Sequence, residues 1–428
     1  MSEPLSEAAR NWARNVEFRA ARVHRPSTLD ELRHVVAGAE AVRVLGTGHS
    51  FNRIADTAGD LVLLSDLPAD VEVDAAAGTA TVAAGMRLAE LSARLHAAGF
   101  ALANLPSLPH ISLAGACATG THGSGSGNQN LAGFVRALRL VDADGEVVEL
   151  ARGVDEDFPG APVGLGALGV ITHLTVAVQP TYDVAQYVYQ DASLDAVFEK
   201  HEEVYASGYS VSTFTNWASG RGSVWLKLRT DGDGDSEAPQ RDWLGGRLAD
   251  QASHPVPGMP VENCTGQLGV PGPWHERLPH FRSEFTPSSG DELQSEFFVP
   301  RARAAEAFEA VRRLGSEIAP VVLVSEIRSI AADNLWLSPA YERDCFAIHF
   351  TWHPDRAAVT PVLAAIEKEL LPLGARPHWG KLFVGGPEAA LATYPRADAF
   401  RQLLARRDPR GKFRNEFVAG LFGDLKDR

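Results

Sequence analysis

Residues 101–127, ALANLPSLPHISLAGACATGTHGSGSG, restrict the possible folds more than any other stretch of this 428-residue chain. Side chains this small let backbone approach backbone, or a flat ligand, and leave N–H groups free to face phosphate oxygens. A flexible linker has a similar composition. Against the linker stand Leu105, Leu108, Ile111 and Leu113, apolar anchors that a solvated tether does not need. The segment therefore reads as a close-approach loop around a buried anionic ligand.

The sequence up to about residue 180 alternates between helical and strand patterns, as a mixed domain requires. Thr28 with Glu31 predicts a capping box, followed by a helical stripe of Leu29, Leu32, Val35 and Val36. AVRVLGTG predicts a short strand ending in glycines, and VEVDAAAGTATVAAG two strands joined around Gly78. Leu88, Leu91 and Leu95 predict a helix face that Gly99 terminates, and VRALRLVDADGEVVEL a hairpin turning at Asp144-Gly145. GLGALG, with Gly164, Gly166 and Gly169, satisfies GxGxxG, yet VITHLTVAV after it reads as a strand where a dinucleotide-binding turn needs a helix. A tight turn into a strand is the better reading, and nicotinamide is rejected.

A length of 428 residues with 45% hydrophobic content favours two domains. The net charge of −14 argues against nucleic acid or an anionic membrane as partner. Cys117, Cys264 and Cys345 are odd in number and widely spaced, so they read as buried small hydrophobes rather than as disulfides or zinc ligands. The charged N-terminal stretch lacks a signal-peptide core, and the expectation is a cytoplasmic enzyme, monomeric by default. From about 181 to 385 aromatic residues increase, with a boundary expected near Gln179-Pro180. Residues 229–241, RTDGDGDSEAPQR, read as a solvated loop because the twelfth-position glutamate of a calcium loop is absent. Glu326 and Arg328 in LVSEIRSI, and His349 and Thr351 in CFAIHFTW, are two apart on apparent strands, so each pair shares a face. Lys381 follows in RPHWGKLF.

RVLGTGHSFN at 43–52, LPHISLAGACATGTHGSG at 108–125 and the strings SEIRS, HFTW and HWGK resemble the vanillyl-alcohol-oxidase family of flavoproteins, in particular its bacterial alditol oxidases. The likeness runs over nearly the whole chain. It implies an α+β, two-domain FAD-binding fold with a separate substrate-binding domain: residues 1–180 for FAD, 181–385 for substrate, and 386–428 returning to the FAD domain through DPRGKFRNEF. It implies FAD held at Gly46, Thr47, Gly48, His49, Ser50 and Phe51, with His49 bonded to the 8α-methyl carbon. Ser107, Ser112, Gly115, Thr119, Gly120, Thr121 and His122 complete that site. Ser107, Gln294, Glu326, Arg328, His349, Thr351 and Lys381 match positions lining a polyol site. Pro106 and Ala114 would flank the flavin ring, Pro106 standing where the resemblance leads one to expect alanine.

These residue types make chemical sense independently. Hydride transfer from a carbinol requires its hydroxyl to lose a proton, so basic and cationic groups near that oxygen stabilise the developing alkoxide. Arg328 suits the electrostatic part, and Lys381, or else His349, the proton acceptor. His110 and His378 read as packing groups or as supports behind the site-lining residues. The activity implied is oxidation of an alditol such as xylitol or sorbitol, with O₂ reduced to hydrogen peroxide. Three alternatives remain. A sugar-lactone or polyol dehydrogenase with another electron acceptor would not be reoxidised by air. A non-catalytic flavin module would not need the polar second domain. A metal-dependent hydrolase drawn from the 14 histidines lacks any HExxH spacing.

Overall fold

The computed structural model describes residues 10–231, 239–284 and 291–423. Near the N-terminus, Arg22–His24 and Val42–Val44 flank Asp60–Val62 in a three-stranded parallel sheet. The helix Leu29–Gly38 links two of these strands and buries Leu32 and Val36. Its start differs in one detail from the expected capping box. The Thr28 hydroxyl accepts from Glu31 N, but the Glu31 carboxylate reaches back to Ser27 N at 2.8 Å rather than to Thr28.

A five-stranded antiparallel sheet follows, in the order Val71–Asp74, Thr79–Ala83, Val170–Ala177, Val135–Val141, Val147–Ala151. Both predicted hairpins are present, and Gly78 and Gly145 turn them at φ of 63° and 83°, the left-handed region in which glycine carries no Cβ penalty. The helix Leu88–Ala97 buries Leu88, Leu91 and Leu95 against this layer. The strand after GLGALG is Val170–Ala177, so the string is a turn into a strand.

Beyond residue 181 a ten-stranded sheet dominates, its path running through Asp183–Ser193, Arg221–Arg229, Ser210–Thr215, Val322–Ile330, Cys345–Trp352 and Leu293–Pro300. The helices Ala304–Arg313 and Arg356–Leu370 cover one face, where Phe308, Val311, Val359 and Ile366 pack on Phe297, Ile327 and Ile348. The register sets Phe214, Glu326, His349 and Glu296 in one cross-strand row and Val324, Thr351 and Gln294 in the next. Strand side chains alternate, so both rows occupy the other face, the one turned away from the helices. Of the expected solvated loop at 229–241, residues 232–238 lie outside the described residues; beside them Arg229 pairs with Asp231 at 2.5 Å.

Two sets of bonds tie distant segments to the strand Val42–Val44. Val42 N donates to Lys412 O at 2.8 Å, and Lys412 Nζ to Val36 O at 2.6 Å. Arg43, fully enclosed, donates to Gly166 O, Phe413 O, Leu165 O and Ile54 O. One guanidinium therefore joins the GLGALG turn, the C-terminal segment and the loop after His49. Removing it strands several buried carbonyls, each costing roughly 1–3 kcal/mol. Arg43→Leu is expected to lower unfolding stability by about 3 kcal/mol or more, read as an earlier midpoint in urea.

Candidate active site

A single cavity of about 490 Å³ lies between the small-residue loops and the polar face of the large sheet. On the loop side it is lined by Gly46, Thr47, Gly48, His49, Ser50, Phe51, Ser107, Ser112, Gly115, Thr119, Thr121 and His122. These loops touch one another. Ser112 N donates to Thr47 Oγ1 at 3.4 Å, and the Thr119 and Thr121 hydroxyls are 3.2 Å apart. Gly46 has no room for a side chain, because a Cβ would sit 2.5 Å from Ser112 Oγ. Pro106 lines the cavity, whereas Ala114 and Gly120 do not. Gly120 instead forms a turn at φ 71°, where a Cβ would meet Pro339 Cδ at 3.0 Å. This wall of glycines and neutral hydroxyls fits a flat dinucleotide with a pyrophosphate, as FAD is. Burial pushes the His49 imidazole down to about 4, so it is neutral at ordinary pH.

The opposite wall is charged. Glu296 is at its centre, with Oε2 accepting from Lys381 Nζ at 2.7 Å and Oε1 in contact with His122 Nε2 at 3.1 Å and Arg328 Nη2 at 2.5 Å. Burial works to raise the Glu296 carboxyl, but Lys381, Arg328 and His122 together hold it well below the usual carboxylate range. Lys381 Nζ also reaches His349 Nδ1 at 2.8 Å, and His349 Nε2 reaches Thr351 Oγ1 at 3.0 Å. Burial, and then the Lys381 charge, hold His349 well below its ordinary value. A neutral ring in this setting accepts from Lys381 at Nδ1 and donates from Nε2 to Thr351. Burial lowers the Lys381 ammonium too, against the pull of Glu296.

Glu326 occupies the same face. Its Oε1 contacts His280 Nε2 at 3.1 Å, its Oε2 accepts from Ser107 Oγ at 3.3 Å, and Arg328 Nε is 3.8 Å away. That buried Arg328 Nε–H has no hydrogen-bond partner. Behind His280 stands Lys227, whose Nζ donates to Leu278 O and approaches His280 Nδ1 at 3.4 Å; burial lowers it to about 7. Gln294 lines the cavity, and its amide donates to Glu292 at 2.6 Å.

All the expected site residues except Gly120 and Ala114 therefore border one cavity. Several participants escaped the sequence reading. Glu296 carried a usable signal, since it is two residues past Gln294 on one strand and must share its face. His280 and Lys227 carried none, because a loop and the strand Arg221–Arg229, both far from Glu326 in sequence, bring them to it. His378, read as packing or as a support behind the site, lines the cavity itself, its Nδ1 accepting from Gly380 N at 3.0 Å. Leu165 and Gly166 of the GLGALG turn border it as well. His110 lies off the wall and contacts Ser283 O at 3.0 Å. Among the described residues, no group of three His, Cys, Asp or Glu side chains could hold a metal, and no helix is long and apolar enough to cross a membrane.

A loop wall shaped for FAD facing a sheet of acids and bases defines an FAD-dependent oxidoreductase. Residues 20–151 match a family described as FAD binding domain, and residues 291–421 one described as D-arabinono-1,4-lactone oxidase. The chain is 50% identical to the alditol oxidase of a Streptomyces species over 97% of this chain and 99% of that one. The protein belongs to the alditol oxidase family of FAD-dependent oxidoreductases. It is also 28% identical to an L-gulono-1,4-lactone dehydrogenase of Mycobacterium tuberculosis, over 96% of this chain and 98% of that one. Among solved structures, a solvent-stable cholesterol oxidase superposes with a TM-score of 0.77 at 15% identity, covering 96% of this chain and 97% of that one, a likeness of fold.

The buried histidines make stability depend on pH. Burial, and then Lys227, hold His280 at about 4 in the fold, against an ordinary value of 6.5. The unfolded chain binds the proton more readily, so this contribution is complete above pH 6.5 and is lost as pH falls toward 4. Urea unfolding at pH 7 and pH 5 is expected to show lower stability at pH 5, and His280→Gln, which keeps an N–H donor for Glu326, is expected to flatten that slope.

Proposed function

We propose that this chain oxidises the terminal carbinol of an alditol such as xylitol or sorbitol, with FAD bonded covalently to His49, and that O₂ is reduced to H₂O₂. Residues 1–180 with 386–428 act as the FAD-binding unit, residues 181–385 as the substrate-binding unit, and the chain works as a monomer. The observation that carries the reading is that Lys381 and Arg328, both bonded to the buried Glu296, line the same cavity as the FAD loops. The loop wall from Gly46 to Phe51 with Ser107, Ser112, Gly115, Thr119, Thr121 and His122 would hold FAD, which would supply the hydride acceptor and the route for electrons to O₂.

The side chains handle the proton and the charge. In its amine form Lys381 accepts the hydroxyl proton, and Glu296 at 2.7 Å stabilises the ammonium that results. The buried setting that lowers Lys381 makes this amine form accessible. Arg328 brings its guanidinium charge to the oxygen where charge develops, and Glu296 and Glu326 hold that guanidinium in place. His349, with Nδ1 turned to Lys381, orients that amine instead of meeting the substrate proton. Glu326, Ser107, Thr351 and Gln294 supply the acceptors and donors that further hydroxyls need, since each unmatched buried group would cost roughly 1–3 kcal/mol.

A second reading, oxidation of a sugar lactone, is favoured by the match of residues 291–421 to the D-arabinono-1,4-lactone oxidase family. One experiment separates the two. The purified protein is precipitated with acid to see whether flavin stays in the pellet, and peroxide is followed in air with xylitol and with a 1,4-lactone. Pelleted flavin with peroxide from xylitol is the expected result; turnover of the lactone alone would replace the substrate assignment. His49→Ala is expected to release all flavin on precipitation. Lys381→Ala and Arg328→Ala are expected to lower turnover by roughly a hundredfold or more with FAD retained, as followed by steady-state kinetics and the flavin spectrum.

A further inference from the structure

The N-terminal turn at residues 11–16 clamps the loop that carries His49. Trp12 N donates to Gly48 O at 2.9 Å, Asn11 Nδ2 to Ser50 O at 2.9 Å, and Asn15 Nδ2 to Phe51 O at 2.8 Å. Asn11 is itself locked, its Nδ2 donating to Asn15 Oδ1 at 2.6 Å and its Oδ1 accepting from Val16 N at 2.9 Å. On this framework the Trp12 ring lies flat on His49, with centroids 4.9 Å apart and planes 17° from parallel. Phe51 meets the indole edge-on at 6.4 Å. Both Trp12 and His49 border the cavity.

We propose that Trp12 is a positioning residue for attachment of the flavin to His49, its indole plane fixing the imidazole plane so that an in-plane nitrogen lone pair is directed at the 8α-methyl carbon. The inference rests on the reading of His49 as the attachment point. Attachment breaks one C–H bond of that methyl group, its proton leaving to solvent, and forms an N–C bond to the imidazole. The ring system takes up the two electrons, the imidazole sheds its N–H proton, and O₂ removes the electrons afterwards.

Two features make stacking suitable for this step. A ring laid on one face leaves the in-plane edges of the imidazole open, while it removes rotation out of plane. Contact of His49 Nδ1 with Thr47 O at 3.1 Å restrains the remaining rotation. Orientation of this kind is worth orders of magnitude in rate, because a misplacement of about 1 Å costs roughly a hundredfold. The indole also adds to the burial that keeps His49 neutral, with a lone pair available.

The test measures covalent flavin, not turnover. Wild type, Trp12→Ala, Trp12→Phe and His49→Ala are expressed alike, purified with their flavin, and sampled over time for fluorescence of the denatured polypeptide band. The expected result is complete attachment in wild type, attachment slowed at least roughly tenfold in Trp12→Ala while native protein still carries dissociable flavin, and recovery in Trp12→Phe. Attachment in Trp12→Ala at the wild-type rate would overturn the inference. So would a Trp12→Ala protein that folds with no flavin of either kind, which would make Trp12 a binding residue. Wild-type protein without attached flavin would remove the His49 reading itself, and is distinguished from the other outcomes by the wild-type lane alone.

Discussion

The active site depends on a short set of bonds between the loop after His49 and the string that carries Lys381. Phe51 N donates to Gly380 O at 2.7 Å, and Asn52 Nδ2 reaches Trp379 O at 2.7 Å and Lys381 O at 2.9 Å. Gly380 is packed so closely there that a Cβ would come within 3.2 Å of Ser50 Oγ. Residues more than 300 positions apart are thereby held in fixed relation. The loop wall and the charged sheet face are not two halves that meet by chance at a domain crevice. They share a seam of one backbone bond and two from the Asn52 amide, all accepted by main-chain carbonyls, so the main chains at His49 and Lys381 are held at a fixed separation.

Burying so much charge requires the balance seen on the sheet face. A buried ion deprived of its partner is costly, whereas a hydrogen-bonded network can hold several. Glu296 and Glu326 are opposed by Arg328 and Lys381, with Lys227 behind, and the histidines at 122, 280 and 349 are all pushed toward the neutral form. Those neutral rings act as spacers that transmit hydrogen bonds without adding charge. His280 does so between Lys227 and Glu326, and His349 between Lys381 and Thr351.

What the sequence made legible follows from what is local. Turns at Gly78, Gly99 and Gly145 and the two-residue spacing of Glu326 with Arg328 depend on near neighbours and stand as read, and the helix start at Thr28 stands but for the Glu31 back-bond, which goes to Ser27. The site residues came together largely because they lie on motif strings, and Gly120 fell off the wall because a small residue in such a string serves a turn as readily as a ligand. Arg43 was invisible for the opposite reason. Its partners at 54, 165, 166 and 413 are brought to it by three separate chain crossings, and nothing in VRVLG marks that arginine as buried. Trp12 was hidden in a stretch read only for the absence of an apolar core.

The distribution of cations along the cavity explains how one space can serve both an anionic cofactor and an oxidation that creates negative charge. Among the described residues, the lysines and arginines on its wall are Arg43, Arg328 and Lys381. Arg43 directs its terminal donors at four backbone carbonyls. The small-residue loops therefore present mainly glycines and hydroxyls, whose dipoles can hold phosphate without a full positive charge. On the proposed function, Arg328 and Lys381 face the substrate, where they are most useful: a cation beside the phosphates would stabilise ground state and transition state alike, but beside the carbinol oxygen it would favour the moment at which that oxygen becomes an alkoxide.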